Sequence, residues 1–126
     1  MGVNINDSRQ PFTDQILRLE KTIETRSTRS LDSYIGKSVG IIRTGVGPAV
    51  LVGYATLGVP LLYSSAKQFN SDNGRHLVRP GSPYHLTPSR AGVKWGYPIT
   101  NVIGLKRPVR IHTRGIVSRR IKAVTQ

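Results

Sequence analysis

Apolar positions near the start of the chain recur at helical spacing. Phe12, Ile16 and Leu19 follow one another at intervals of four and three, which places them on one face of a helix. Pro11 suits the first turn of such a helix, because no backbone N–H is needed there. The pattern predicts a helix that begins at Pro11 and ends near residue 20, preceded by a flexible N-terminus over residues 1–7.

After this helix the side chains alternate in character, which is typical of a strand. Residues 21–26 are rich in β-branched side chains and predict a strand that follows the helix directly. Alternation places Thr22, Glu24 and Arg26 on one face of that strand, and Lys21 on the opposite face.

Further apolar runs, interrupted by glycine and proline, predict the rest of a β-rich domain. Thirteen glycines and eight prolines in 126 residues favour short strands and turns over a helical bundle. We expect a single α+β domain, mainly β, with one N-terminal helix and one short additional helix. The domain is expected to span residues 8–113, with a basic C-terminal strand or tail over residues 114–126. The remaining predicted elements are strands at 38–43, 49–57, 95–102 and 109–112, and a helix at 66–69 capped by Ser64.

Charge is distributed unevenly along the chain. The formal net charge is +13, yet all six acidic residues lie within residues 1–72. Residues 73–126 contain eleven Lys or Arg and no carboxylate, so this half has no internal counter-charge. A polyanion is the expected partner, although a solvated basic face and a scaffold role in a nucleoprotein particle are alternatives. The tail at 114–122 lacks a long helical apolar face, so we do not expect a membrane partner.

Several other classes of chemistry find no support in the sequence. There is no cysteine, and His76, His85 and His112 lack metal-ligand spacing, so neither a metal site nor a disulfide is expected. No phosphate-binding glycine loop is present, and no cofactor is predicted. Glycine and proline interrupt the apolar stretch at 46–63, so we expect a soluble, cytoplasmic protein without a membrane span.

The N-terminal third of the chain resembles the signature of the ASCH family. Gln10-Pro11-Phe12 opens the predicted helix, and Lys21-Thr22-Ile23-Glu24-Thr25-Arg26 follows it as a strand, in the order found in that family. Looser similarity extends over residues 8–112, with Gly-Lys-x-Val-x-Ile-Ile at 36–42, Val-Leu-Val-Gly-Tyr-Ala at 50–55 and an aromatic-rich strand at 94–97.

The resemblance implies a PUA-like β-barrel with a cleft between the first helix and the sheet. In such a fold Lys21 and Arg26 would lie in the cleft. Related folds bind RNA, and some ASCH members are ribonucleases or acetylcytidine amidohydrolases. RNA, single-stranded or structured, is therefore the expected partner, and another nucleic acid is the alternative.

The chain departs from the family pattern in three places. Leu19 stands where the family usually carries a glycine, and Thr28 lies near the position of a common tryptophan. The amidohydrolase members use a Lys and a Thr with a distant Glu. Here Glu24 occupies the Thr position and no carboxylate follows Asp72, which weakens the transfer of that chemistry.

Three hypotheses follow: an RNA-binding module, an enzyme acting on RNA or a modified nucleoside, and a structural component of a ribonucleoprotein particle. For an enzyme, the catalytic candidates are Lys21, Glu24 and Tyr54. Two alternatives stay open: Arg26 simply pairs with Glu24, and the aromatic residues fill the core. The predicted RNA-binding cleft comprises Lys21, Thr22, Glu24, Arg26, Trp95 and Tyr97. The predicted phosphate contacts are Arg90, Lys94, Arg107, Arg110, Arg114, Arg119, Arg120 and Lys122.

Overall fold

A computed structural model describes residues 2–80, 82–86, 93–111 and 118–119 of the chain. The fold is mainly β with a few short helices, which confirms the predicted α+β class, although a third short helix joins the two that the sequence predicts. The strands are β1 (Gly2–Asn6), β2 (Ile23–Arg26), β3 (Ser38–Thr44), β4 (Val50–Leu57), β5 (Leu61–Tyr63), β6 (Lys94–Arg110) and β7 (Ser118–Arg119). The helices are α1 (Phe12–Leu17), α2 (Ala66–Ser71) and α3 (Asn73–His76), with a 3-10 turn at Asp32–Tyr34.

The described strands form one sheet in the order β2-β6-β4-β3-β1-β7, and β5 pairs with β6 beside this path. All strand pairs are antiparallel except β1 and β3, which run parallel. The first part of β6 pairs with β2 and β5, and the remainder pairs with β4. Strand β6 therefore links the part of the sheet that contains β2 to the part that contains β1.

The long strand β6 replaces the two short strands that the sequence predicts at its position. Its pairing with β4 shifts register twice, once between Leu51 and Gly53 and once between Tyr54 and Thr56. Asn101 adopts a positive φ of 50° close to the second shift. Such bulges bend a strand without ending it, so a chain interrupted by Gly104 and Pro108 continues as a single strand.

The N-terminus differs from the flexible segment that the sequence predicts. Residues 2–6 form β1, which pairs in parallel with β3 from Gly2↔Gly40 to Asn6↔Thr44. Val3 and Ile5 are buried, because alternation directs both side chains into the core. Two apolar positions are a weak signal, and the stabilising partner of β1 lies more than thirty residues away in sequence.

Helix α1 ends earlier than the apolar spacing predicts, and this changes where Lys21 lies. Leu19 adopts a left-handed conformation with φ of 63°, which stops the helix after Leu17. Strand β2 then begins only at Ile23, so Lys21 precedes the strand and does not follow its alternation. The predicted separation of Lys21 from Glu24 on opposite faces is therefore wrong.

One apolar cluster joins the helices to the sheet. Phe12 and Ile16 of α1 pack into it from one side, and Phe69 of α2 is fully buried in it. Ser65, rather than the predicted Ser64, caps α2 by accepting a hydrogen bond from the Gln68 N–H at 3.2 Å. Burial of these side chains fixes α1 and α2 against the sheet and so positions the cleft described below.

Candidate functional site

A cavity of about 430 Å³ lies where β1 and β2 face each other. Strand β2 is at one end of the strand order and β1 lies next to β7 at the other end; among the described residues no backbone pairing joins β1 to β2. We call this junction the seam. The seam cavity is lined by Asn4, Ile5 and Asn6 of β1, Glu24, Thr25 and Arg26 of β2, and Phe12, Lys21, Thr44, Val78 and Tyr84.

Arg26 connects the two sides of the seam. Its Nη2 donates a hydrogen bond of 2.8 Å to the Asn4 carbonyl on β1 and one of 3.0 Å to Glu24 Oε2 on its own strand. A planar guanidinium suits this task because its donors point in fixed directions. Where the backbones of β1 and β2 do not pair, a side chain bridges them.

Lys21 is almost completely buried, with 1% of its surface exposed. Its Nζ donates a hydrogen bond to the His76 carbonyl, lies 3.8 Å from Glu24 Oε1 and sits 4.7 Å from the centre of the Phe12 ring. Burial lowers the pKa of Lys21 to about 8; the Arg26 cation acts in the same direction, and Glu24 opposes both. A lysine with such a pKa is partly neutral near physiological pH, so it is able to accept a proton or act as a nucleophile.

Glu24 lies between the two cations and contacts each with a different carboxylate oxygen. The alternative that Arg26 merely pairs with Glu24 describes a contact that is present, yet the pair also lines the cavity. One carboxylate against two cations leaves at most a single positive charge on the three side chains. The ion pairs therefore leave little uncompensated positive charge at the cavity wall.

The other predicted cleft residues do not line the cavity. Thr22 is held through its backbone, since its N–H donates to the Arg75 carbonyl and its carbonyl accepts from the Ile99 N–H. Tyr54, a catalytic candidate, is partly buried on β4 and also lies outside the cavity lining. Strand alternation alone does not place either residue in the cleft.

Trp95 and Tyr97 share a face of β6, as predicted, but neighbouring groups cover that face. The Arg29 guanidinium lies 5.0 Å from the Trp95 ring centre. Tyr97 is fully buried, and its hydroxyl donates a 2.7 Å hydrogen bond to Asp32. Burial and this carboxylate raise the pKa of Tyr97 to about 12. Neither aromatic residue lines the seam cavity, because the turn at residues 29–34 packs over them.

The predicted phosphate contacts fall into three groups. Arg107 and Arg110 are exposed on β6, next to Lys106, an exposed residue that the prediction omits. Lys94 is buried instead, and its Nζ donates to Ser27 Oγ at 3.1 Å, so it does not belong to an exposed basic surface. Outside the described residues lie Arg90, Arg114, Arg120, Lys122 and the side chain of Arg119.

Sequence reasoning missed Asn4, Asn6 and Gln10. The two asparagines line the cavity but fell within the segment predicted to be flexible. Gln10 is buried; its amide donates to the Leu77 carbonyl at 2.8 Å and accepts from the Arg79 N–H at 2.9 Å. The signal in the sequence was its place in the Gln-Pro-Phe motif. A buried amide needs hydrogen-bond partners for both its oxygen and its nitrogen, and Gln10 has both.

Asp7 fixes the start of α1 close to the cavity. Its carboxylate accepts a 3.1 Å hydrogen bond from the Thr13 N–H and a second, short one from the Thr13 hydroxyl. Burial raises the pKa of Asp7, while the hydrogen bonds from Thr13 oppose that change. This contact orients Phe12, which packs against both the Lys21 ammonium and the Tyr84 ring.

Two kinds of feature are absent from the described part of the chain. Within residues 2–80, 82–86, 93–111 and 118–119, no cluster of three or more His, Cys, Asp or Glu side chains is arranged to hold a metal ion. None of the helices in these ranges is long and apolar enough to cross a membrane.

Comparison with known proteins gives a structural relationship and no sequence relationship. No family model matches the chain, and no curated protein matches it. Among solved structures, the fold is similar to the crystal structure of ASCH from Zymomonas mobilis, with a TM-score of 0.66 and 17% identity. The match covers 87% of this chain and 73% of that chain. The chain therefore has an ASCH-like fold.

Proposed function

We propose that this ASCH-like domain binds RNA, taking an unpaired nucleobase into the seam cavity and holding the backbone phosphates on exposed basic residues. The observation that carries the proposal is the Lys21–Glu24–Arg26 group at the wall of a cavity of about 430 Å³. The similarity of the Lys-Thr-Ile-Glu-Thr-Arg segment to the ASCH signature supports RNA over other polyanions. We further infer that β1 and β2 complete a PUA-like barrel across the seam.

A neutral, planar ligand fits the seam cavity better than a phosphate does. Both cations already contact Glu24 and donate to backbone carbonyls, so little positive charge remains for an anion. Thr25 and Thr44 offer hydrogen-bonding side chains, while Phe12 and Tyr84 offer aromatic surface. The volume lies within the usual range of roughly 300–1,000 Å³ for small-molecule sites. Unpaired bases are recognised by this combination of stacking and hydrogen bonding.

Phosphates would instead meet exposed cations in the half of the chain whose sequence contains no carboxylate. Residues 73–126 contain eleven Lys or Arg and no acidic residue. Arg107 and Arg110 are exposed, and Lys106 beside them is exposed as well. Neutralising phosphates with such residues releases counterions and makes binding strongly salt-dependent. In this proposal the exposed cations set affinity, and the seam cavity sets the preference for unpaired RNA.

The first test is fluorescence anisotropy with single-stranded RNA, duplex RNA and duplex DNA over a range of salt concentrations. Wild type is compared with Lys21→Ala/Arg26→Ala and with Arg18→Ala/Lys37→Ala. The second pair removes the same charge from exposed positions outside the cavity. We expect tightest binding to single-stranded RNA, and a loss of about tenfold or more in the cavity variant alone, or about 1.4 kcal/mol. Equal losses of affinity in both variants would mean that binding depends on net charge and not on the cavity.

The second test addresses the phosphate contacts. Replacing Lys106, Arg107 and Arg110 together by alanine is expected to weaken binding to all three nucleic acids. The slope of log K against log salt should fall by about 2, since each phosphate contact contributes roughly 0.7 to 0.9. An unchanged slope would exclude this part of β6 from the RNA contact.

A second candidate function is catalysis on RNA or on a modified nucleoside. The observation that favours it is the lowered pKa of Lys21, about 8, in a cavity that also contains Glu24. RNA recovered after binding is analysed on a gel and by nucleoside mass spectrometry. Turnover that Lys21→Ala abolishes, while binding is retained, would establish the enzyme. RNA that remains intact and chemically unchanged would leave the binding module as the function.

A further inference from the structure

His76 is fully buried and both of its ring nitrogens are bonded. Its ring stacks on Phe69, with centroids 3.9 Å apart. Nε2 lies 2.6 Å from the Phe69 carbonyl, and Nδ1 lies 2.9 Å from the Val78 N–H. A carbonyl requires a donor and an N–H requires an acceptor. The two partners therefore select the neutral imidazole with its proton on Nε2.

The segment that this ring holds is one wall of the seam cavity. His76 offers its own carbonyl to the Lys21 ammonium, and Val78 lines the cavity. Leu77 between them adopts a left-handed conformation with φ of 59°, so the turn needs support from outside itself. Asn73 contributes by donating to the Val78 carbonyl at 2.9 Å.

We propose that His76 is a positioning residue for the seam cavity, whose neutral imidazole fixes the turn that holds Lys21 and Val78, and that acid loosens this wall. A proton on Nδ1 would place an N–H against the Val78 N–H, two donors with no acceptor between them. The turn would then open, and Lys21 would lose the carbonyl that fixes its Nζ. This inference rests on the proposed function only in treating the cavity beside the turn as a ligand site.

The groups around His76 oppose its protonation. Lys21 approaches from the segment before β2, His85 packs on the Phe69 ring, and Tyr63 of β5 meets the imidazole edge-on at 5.9 Å. Asp72, at the start of α3, is the acidic group nearby, and its carboxylate is already bonded to Tyr63 and Arg75. Burial lowers the pKa of His76, Lys21 and His85 lower it further, and the Phe69 carbonyl and Asp72 act against them.

The first experiment measures the reactivity of Lys21 in the protein alone. The variants are His76→Phe, which keeps the stacked ring and removes both hydrogen bonds, and His76→Asn, whose side-chain oxygen still accepts from Val78. His85→Asn removes another buried histidine that packs on Phe69 and serves as the matched control. Each protein is treated with an acetylating reagent near pH 8, and the modified lysines are quantified by mass spectrometry.

We expect Lys21 to react at least about fivefold faster in His76→Phe than in wild type, His76→Asn or His85→Asn. Lys94, also buried but bonded to Ser27, distinguishes local opening from general loosening and should keep its rate. Equal acceleration at Lys21 and Lys94, or none at Lys21, would overturn the positioning role.

The second experiment uses wild type and His76→Asn, and follows amide hydrogen exchange of Val78 by NMR. On acidification from about pH 7.5 to about pH 5, the protection factor of Val78 should fall at least about tenfold in wild type. It should fall less in His76→Asn, whose acceptor does not titrate. A parallel fall in both proteins would refute the acid response. Neither experiment contains RNA, so failure of RNA binding and failure of this inference are separate outcomes.

Discussion

The central strands β3, β4 and β6 are joined by one kind of interaction, and the seam between β1 and β2 by another. The central strands pair through continuous backbone ladders, and side chains such as Ile42 and Leu51 are fully buried among them. At the seam, the Arg26 side chain joins the two strands by donating a hydrogen bond to the Asn4 carbonyl. The first arrangement stabilises the fold, whereas the second keeps polar groups next to a cavity.

The difference also appears in what each region buries. Burying apolar side chains is favourable in itself, at roughly 25 cal/mol per Å². Burying Lys21 beside Glu24 removes both charges from water, and such pairs often contribute no net stability. Proteins tolerate unfavourable burial where function requires it. The contrast therefore supports assigning stability to the central strands and ligand contact to the seam.

The largest effect on stability is expected in the central strands. Leu51→Ala should lower the free energy of unfolding by about 4 kcal/mol, because it leaves a hole in a fully buried part of the core. Urea denaturation measures this loss, and Val46→Ala, at an exposed position, is the control with almost no change. RNA affinity of the folded fraction should stay at the wild-type value. A loss of RNA affinity in the folded Leu51→Ala protein would contradict the assignment of ligand contact to the seam alone.

At the seam, Glu24→Gln is expected to lower the free energy of unfolding by about 3 kcal/mol. The variant keeps the shape of the side chain and leaves Lys21 and Arg26 without their buried counter-charge. Arg75→Ala breaks an ion pair whose guanidinium is exposed and should change stability by about 0.5 kcal/mol. Unlike the core variant, Glu24→Gln should also weaken RNA binding. Stability equal to wild type would mean that the seam charges are solvated.

Alkaline pH should stabilise wild type relative to Lys21→Met. The pKa of Lys21 is about 8 in the folded protein, against an ordinary value of about 10.4 when unfolded. Between these values the unfolded chain binds more protons, so the free energy of unfolding rises with pH through this window. We expect a relative gain of about 2 kcal/mol from about pH 8 to about pH 10.4, measured by urea denaturation. Tyrosine titration occurs in both proteins and cancels. If the free energies of unfolding of the two proteins changed in parallel with pH, the Lys21 side chain would have to be solvated in the folded protein.

The smallest predicted change lies at the end of α1. Leu19→Gly should raise the free energy of unfolding by about 0.5 to 1 kcal/mol, because Leu19 is exposed and adopts a positive φ that suits glycine. Thermal denaturation is a suitable measurement. Leu77→Gly, at φ of 59° but half-buried beside the cavity, is the comparison and should gain less. A destabilised Leu19→Gly would show that its side chain makes contacts worth more than the backbone strain.

The sequence predicted the local elements better than the groups that meet across the fold. The spacing of Phe12 and Ile16 identified α1, but the left-handed Leu19 ended the helix in a way that apolar spacing does not encode. The similarity to the ASCH signature singled out Lys21 and Arg26, and both line the cavity. Strand alternation placed Lys21 on the wrong face, because it assumed that the strand begins two residues too early.

Long-range contacts account for the remaining differences. Trp95 is covered by a segment some 65 residues earlier in the chain, and no local pattern reports such a neighbour. Asn4 and Asn6 became part of the cavity only because β1 pairs with β3. The role of the His76 ring depends on Phe69 and Val78 together, a geometry that spacing alone does not reveal.

The position of β1 also determines when the cavity is able to form. During synthesis β1 emerges before both of its partners, β3 and β7, and before β2 on the other side of the seam. A nascent chain that ends just before residue 78 contains β1, β2 and β3 but still lacks Val78 and Tyr84, which also line the cavity. The complete lining of the seam cavity is thus acquired only after segments distant in sequence have been synthesised and brought together.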